Sequence, residues 1–225
     1  MVRQPGEGVI RFEVEHESRA LEDGFHGGTA RTLIAWREVL ARLGLVGRDP
    51  ARYEGLGFGN LSARVDPMEA VPPGERRFLV TGSRTADRRD VTLADFCLVE
   101  RYDIALNRVK SSGAVPPSSE SLTHGAIYDV APAARVVLHV HAPEIWRRER
   151  ALGLPLTSPE APNGTPAMAL EVQRVCRETA ASGAGIIVMG GHEDGVIAFG
   201  PTAEEAGEIL VRHFARALAG EGDPQ

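Results

Sequence analysis

The chain has 225 residues, 43% of them hydrophobic, and a formal net charge of −6. That length suits one compact unit around a single core; the negative balance excludes a protein that coats nucleic acid, and the lack of any run of about 18 apolar residues excludes a membrane-spanning helix. Two cysteines, Cys97 and Cys176, are too few for a disulfide scaffold and point to a reducing cytoplasm, while Met1 to Glu17 is mixed in charge and has no apolar leader.

Residues 1–27 read as a charged, glycine-dotted extension ahead of a domain over 28–218, with 219–225 as a fraying tail. Thr29 to Leu43 has Leu33, Trp36, Leu40 and Leu43 at helical spacing, and Gly44 ends it. A loop from Asp49-Pro50 leads into a strand over Gly57–Val65 that opens on glycines, and Phe78-Leu79-Val80 is a short buried strand running into Thr81-Gly82-Ser83. Thr92 to Phe96 fits one helical turn, Cys97 to Tyr102 a strand, and 103–110 its hairpin partner. Pro116-Pro117 stops the chain, and Ser118 or Ser119 caps a helix to about Val130. Arg135–His141 is a strand, Pro143–Ala151 a helix, and 152–164 a loop holding three prolines. A helix over Pro166–Ser182, strands at Gly185–Met189 and Val196–Phe199, and a final helix capped by Thr202 and running to about Leu218 complete the chain. Strands and helices alternate, which defines an α/β layered domain without an internal repeat.

The chemistry concentrates at Val136-Val137-Leu138-His139-Val140-His141. On a strand, residues two apart share a face, so His139 and His141 present two imidazoles to one side while Val140 faces the other. Catalytic zinc takes three protein ligands and keeps one position open, and His192, after Gly190-Gly191 at a strand end, is the third candidate. Each histidine could equally be a hydrogen-bonded interior residue. His16, His26, His124 and His213 are isolated and receive no role. Pro117-Ser118-Ser119-Glu120 combines hydroxyls with free N–H groups at a helix start, which suits either an anion or an ordinary cap. The glycine turns Gly59-Asn60-Leu61-Ser62 and Thr81-Gly82-Ser83 offer backbone N–H plus a polar side chain and serve equally well as plain turns.

As an ordered set, Gly59-Asn60-x-Ser62, Thr81-Gly82, Ser118-Ser119-Glu120, His139-x-His141 and His192 resemble the class II aldolase/adducin family. The resemblance covers roughly residues 28–218 and implies a three-layer α/β/α fold around a central, largely antiparallel sheet, forming one domain and assembling as a homotetramer. It implies Zn2+, or another divalent metal, held by His139, His141 and His192. Glu120 would be the acid/base group and could also touch the metal. Gly59, Asn60, Thr81, Gly82, Ser118 and Ser119 would hold the phosphate of a small anionic sugar. The implied activity is a zinc-dependent aldolase- or dehydratase-type lyase working through a metal-stabilised enediolate. A sugar-phosphate 4-epimerase of the same family is the alternative, and a non-catalytic adducin-like module is the third reading.

Two departures set the sequence apart from the family's aldolases. Residues 142–175 contain no tyrosine, where those aldolases carry a proton-donating one, and the chain's tyrosines are Tyr53, Tyr102 and Tyr128. Glu193-Asp194 also separate His192 from Gly195 where the family places glycine at once, so His192 is expected either to sit displaced or to gain a carboxylate near the metal.

Overall fold

The strand Val136–His141 lies near the middle of an eight-stranded sheet, with all six residues buried. The computed structural model describes residues 9–67, 71–179 and 183–220. Its first half contains β1 (Glu13–Ser18), α1 (Asp23–Arg42), β2 (Gly47–Arg48), β3 (Gly57–Phe58), β4 (Asn60–Arg64), β5 (Phe78–Thr81), β6 (Phe96–Asp103) and β7 (Arg108–Gly113). The second half contains α2 (Ser121–Val130), β8 (Val136–His141), α3 (Pro143–Trp146), α4 (Pro166–Thr179), β9 (Gly185–Val188), β10 (Gly195–Gly200) and α5 (Ala203–Leu218).

Strand order in the sheet is β1-β7-β6-β5-β4-β8-β10-β9. Every pairing is antiparallel except β1 with β7. The pleat divides β8 between two cores: Val137 faces one, with Ile127, Tyr128, Met168 and Val172 of α2 and α4. Leu138 and Val140 face the other, with Leu33, Leu40 and Leu210 of α1 and α5. Alternation therefore sends His139 and His141 toward the α2/α4 layer, the layer that also carries Glu120. This is the three-layer α/β/α arrangement around a largely antiparallel sheet. Among the described residues no helix is long and apolar enough to cross a membrane.

Several boundaries differ from the sequence reading, for local physical reasons. The glycine-opened segment is broken at Gly59, whose φ of +78° lies in the left-handed region and turns the chain between β3 and β4. Helix α1 starts at Asp23, six residues before Thr29, because Gly27 and Gly28 are carried within it by burial of Ala30 and Leu33. Helix α3 stops at Trp146, although the periodicity continues to Ala151. Helix α2 begins at Ser121 with Glu120 at its N-cap position, so neither Ser118 nor Ser119 caps it. The expected last residues of α4, through Ser182, lie partly outside the described residues. Thr202 does cap α5, its hydroxyl accepting from Glu205 N–H at 3.1 Å.

Candidate metal centre and its surroundings

Sheet register brings the candidate residues to one end of neighbouring strands. His139 pairs across from Asn60 on β4 and from Ile197 on β10, and His141 pairs across from Gly195. Gly195 has a steric reason to be glycine: a Cβ there would fall 2.9 Å from the His192 ring. The bare backbone opposite His141 is thus the space into which His192 folds. One ligand nitrogen from each of His139, His141 and His192 can lie within 4.8 Å of the others, and all three residues are buried. Ring centroids are 4.7 to 5.2 Å apart. The Glu193-Asp194 insertion does not displace His192 from this group.

The nitrogen chemistry fits a cation. His139 Nδ1 lies 3.2 Å from the Val196 carbonyl, which can only accept, so the proton sits on Nδ1. Nε2 is then a lone-pair donor, buried and without a hydrogen-bond partner among the described residues. Burial first, then the neighbouring His192 and His124 rings, hold His139 well below the ordinary imidazole range. Burial and then the His192, His139 and Arg52 charges do the same for His141. Imidazoles disfavoured from protonation at His139 and His141, converging with His192 in a buried group, could hold a divalent metal.

Glu120 is buried at the start of α2, and its carboxylate accepts from the Thr123 hydroxyl at 2.9 Å. The strand ends beyond His139 continue the row. Thr81 Oγ1 accepts from Leu61 N–H at 3.1 Å, tying the end of β5 to the start of β4. Gly82 bridges to Pro117, which leads directly into Ser118, Ser119 and Glu120, all three buried. Asn60 Oδ1 is buried and has no hydrogen-bond partner among the described residues, so it is open to a ligand. Gly82 N–H donates to the Asp95 carbonyl at 2.8 Å, and the missing Cβ makes room for the Val115 side chain, not for a ligand.

Four further residues reach the site without a sequence signal of their own. Asn163 places its amide nitrogen 3.4 Å from His192 Nε2 and accepts from the Arg11 guanidinium at 3.3 Å. The loop that delivers Asn163 lies on Gly190 and Gly191, where a Cβ would meet the Thr157 and Ala161 carbonyl oxygens at 2.4 and 1.8 Å. The glycine pair is there for close approach of this loop; neither residue has a positive φ. His124, one helical turn past Glu120, is fully buried, with Nδ1 2.6 Å from Ser62 Oγ, itself 2.8 Å from Tyr128 Oη. Tyr53 packs edge-on against His141, ring centroids 4.6 Å apart.

A buried three-imidazole group that could hold a metal thus lies at the strand ends of an α/β/α sheet, in the layer that also carries the buried Glu120. The sequence profile of the family described as Class II Aldolase and Adducin N-terminal domain matches residues 50–213. The chain belongs to that family. Solved structures of similar fold include L-fuculose-1-phosphate aldolase from Thermus thermophilus, 20% identical, with 86% of this chain and 93% of that one covered at a TM-score of 0.55. A sugar-phosphate aldolase from Thermotoga maritima is 17% identical over 88% and 99% of the two chains, with a TM-score of 0.57. A further L-fuculose 1-phosphate aldolase structure is 19% identical over 88% and 89%, with a TM-score of 0.62. No curated protein sequence matches the chain.

Proposed function

We propose that the protein is a divalent-metal-dependent lyase acting on a small phosphorylated sugar, with zinc at His139, His141 and His192. The observation that carries this reading is the convergence of three buried imidazoles, one of them with an open lone pair; the buried carboxylate of Glu120 lies at the start of α2. A divalent cation bound there supplies Lewis-acid polarisation of a substrate carbonyl oxygen. Glu120 moves the proton at the neighbouring carbon, helped by exclusion of bulk water from its pocket. Asn60, Thr81, Ser118 and Ser119 bind the anionic end of the sugar, with Gly59 and Gly82 allowing the close-packed turns that present Asn60 and Thr81. The same placement serves carbon–carbon cleavage, dehydration and 4-epimerisation, and cleavage or dehydration is our first reading. An adducin-like module without chemistry has no use for a buried trihistidine group.

The protein is proposed to act in the cytoplasm, in keeping with two buried free cysteines. It is proposed to assemble as a homotetramer, as the family resemblance implies. Product analysis after incubating the zinc-loaded protein with a panel of ketose and aldose phosphates tests the activity. Aldehyde and ketone fragments, a dehydrated product or an epimer each identify the branch. Failure of every sugar phosphate to turn over would contradict the proposal.

A further inference from the structure

We infer that Tyr53 and Asp194 are positioning residues of the trihistidine centre, locked together so that the phenol ring holds the His141 imidazole in its metal-ready orientation. The inference rests on the metal-site reading above and concerns two residues that supply no ligand to it. His141 is boxed by rings: Tyr53 at 4.6 Å and 73°, Phe58 at 5.4 Å and 42°, and Tyr53 against Phe58 at 5.1 Å and 71°. His141 packs against this aromatic wall, and the wall can hold the imidazole only if it is itself fixed.

The fixing is visible in the polar contacts of Tyr53. Its hydroxyl donates to Asp194 Oδ2 at 2.6 Å and accepts from Arg52 at 2.6 Å. The Arg52 guanidinium lies over both rings of the wall, 4.9 Å from Tyr53 and 4.8 Å from Phe58. Asp194 is buried and Tyr53 half-buried, so their bond is partly shielded from bulk water.

Both ends of this bond are held in costly backbone. Tyr53 and Glu54 have φ of +47° and +57°, and Asp194 has φ of +60°, none of them glycine. Left-handed residues of this kind cost on the order of 1 kcal/mol or more each, and they persist where surrounding contacts fix them. The two segments are 141 positions apart in sequence and are joined beside His141 by this hydrogen bond and by the Arg52–Asp194 ion pair at 3.9 Å. Asp194, one of the two residues between His192 and Gly195, is therefore the anchor for Tyr53. These residues leave His192 in the ligand group and bring no carboxylate into it.

The test is zinc affinity of the full chain, measured by competition with a chromophoric chelator, with urea denaturation of each metal-free protein as the fold control. Tyr53→Phe and Asp194→Ala should each raise the zinc dissociation constant about 10- to 100-fold. The double variant should be no weaker than either single one, because both break the same contact. Asp194→Asn keeps a carbonyl oxygen for the phenol and should restore most of the affinity. Wild-type affinity in folded Tyr53→Phe and Asp194→Ala proteins would overturn the positioning role and leave the trihistidine site standing. Lost stability with unchanged zinc affinity would overturn it too. No zinc on the wild-type chain would remove the site itself, and this inference with it. Should Asp194→Ala not fold, Tyr53→Phe, which deletes one oxygen, decides alone.

Discussion

In the proposed mechanism Glu120 would carry the proton and the three histidines would hold the metal, and substitution separates the two roles. Glu120→Gln preserves the shape of the helix start, so metal content should stay at the wild-type level while turnover falls about 100- to 10,000-fold. Steady-state kinetics beside metal analysis of the same sample checks this, and retained turnover would contradict it. His124 has a different task. Burial holds it down to about 3 from an ordinary 6.5. Below pH 6.5 the unfolded chain takes up this proton and the folded chain does not. Its contribution is complete above 6.5 and shrinks by about 1.4 kcal/mol per pH unit as the pH falls toward 3. Urea denaturation of the metal-free protein from neutral to acid pH should therefore show a shallower loss in His124→Gln than in the wild type. Equal slopes would contradict the assignment.

At the scale of elements, β8 and the loop over Gly190–Gly191 do most to build the site. Gly191→Ala would drive a methyl group into the Ala161 carbonyl oxygen, a backbone atom with little freedom to yield. A loss of about 1–3 kcal/mol or more in urea denaturation is expected, with Asn163 drawn away from His192; wild-type stability would contradict it. The strand was legible in the sequence because its apolar run and His-x-His spacing are local, and a two-residue period fixes which face the imidazoles share. The α5 cap at Thr202 was legible for the same reason. The reach of Tyr53 to Asp194 was not, because nothing near Tyr53 in sequence marks a partner 141 positions away. Nor was β1 visible, since its EVEHES sequence has the character of an exposed edge and gains its place by parallel pairing to β7. His124 looked isolated because its partner Ser62 lies on β4, 62 positions away in sequence.

For the whole molecule, the sheet order explains how residues from Arg11 to Asp194 come to one end of one layer. Strand ends and loops from distant parts of the chain converge there, and no single stretch of sequence contains the site. Light scattering coupled to gel filtration should give the mass of four chains, and a monomer at micromolar concentration would contradict the proposed tetramer. The central claim, that His139, His141 and His192 together hold a metal, is tested most directly by elemental analysis of the purified wild-type protein and of His192→Ala. About one zinc per chain in the wild type, lost in a folded His192→Ala protein, is the result this account predicts. A folded wild-type protein that holds no divalent metal even after zinc loading would contradict it.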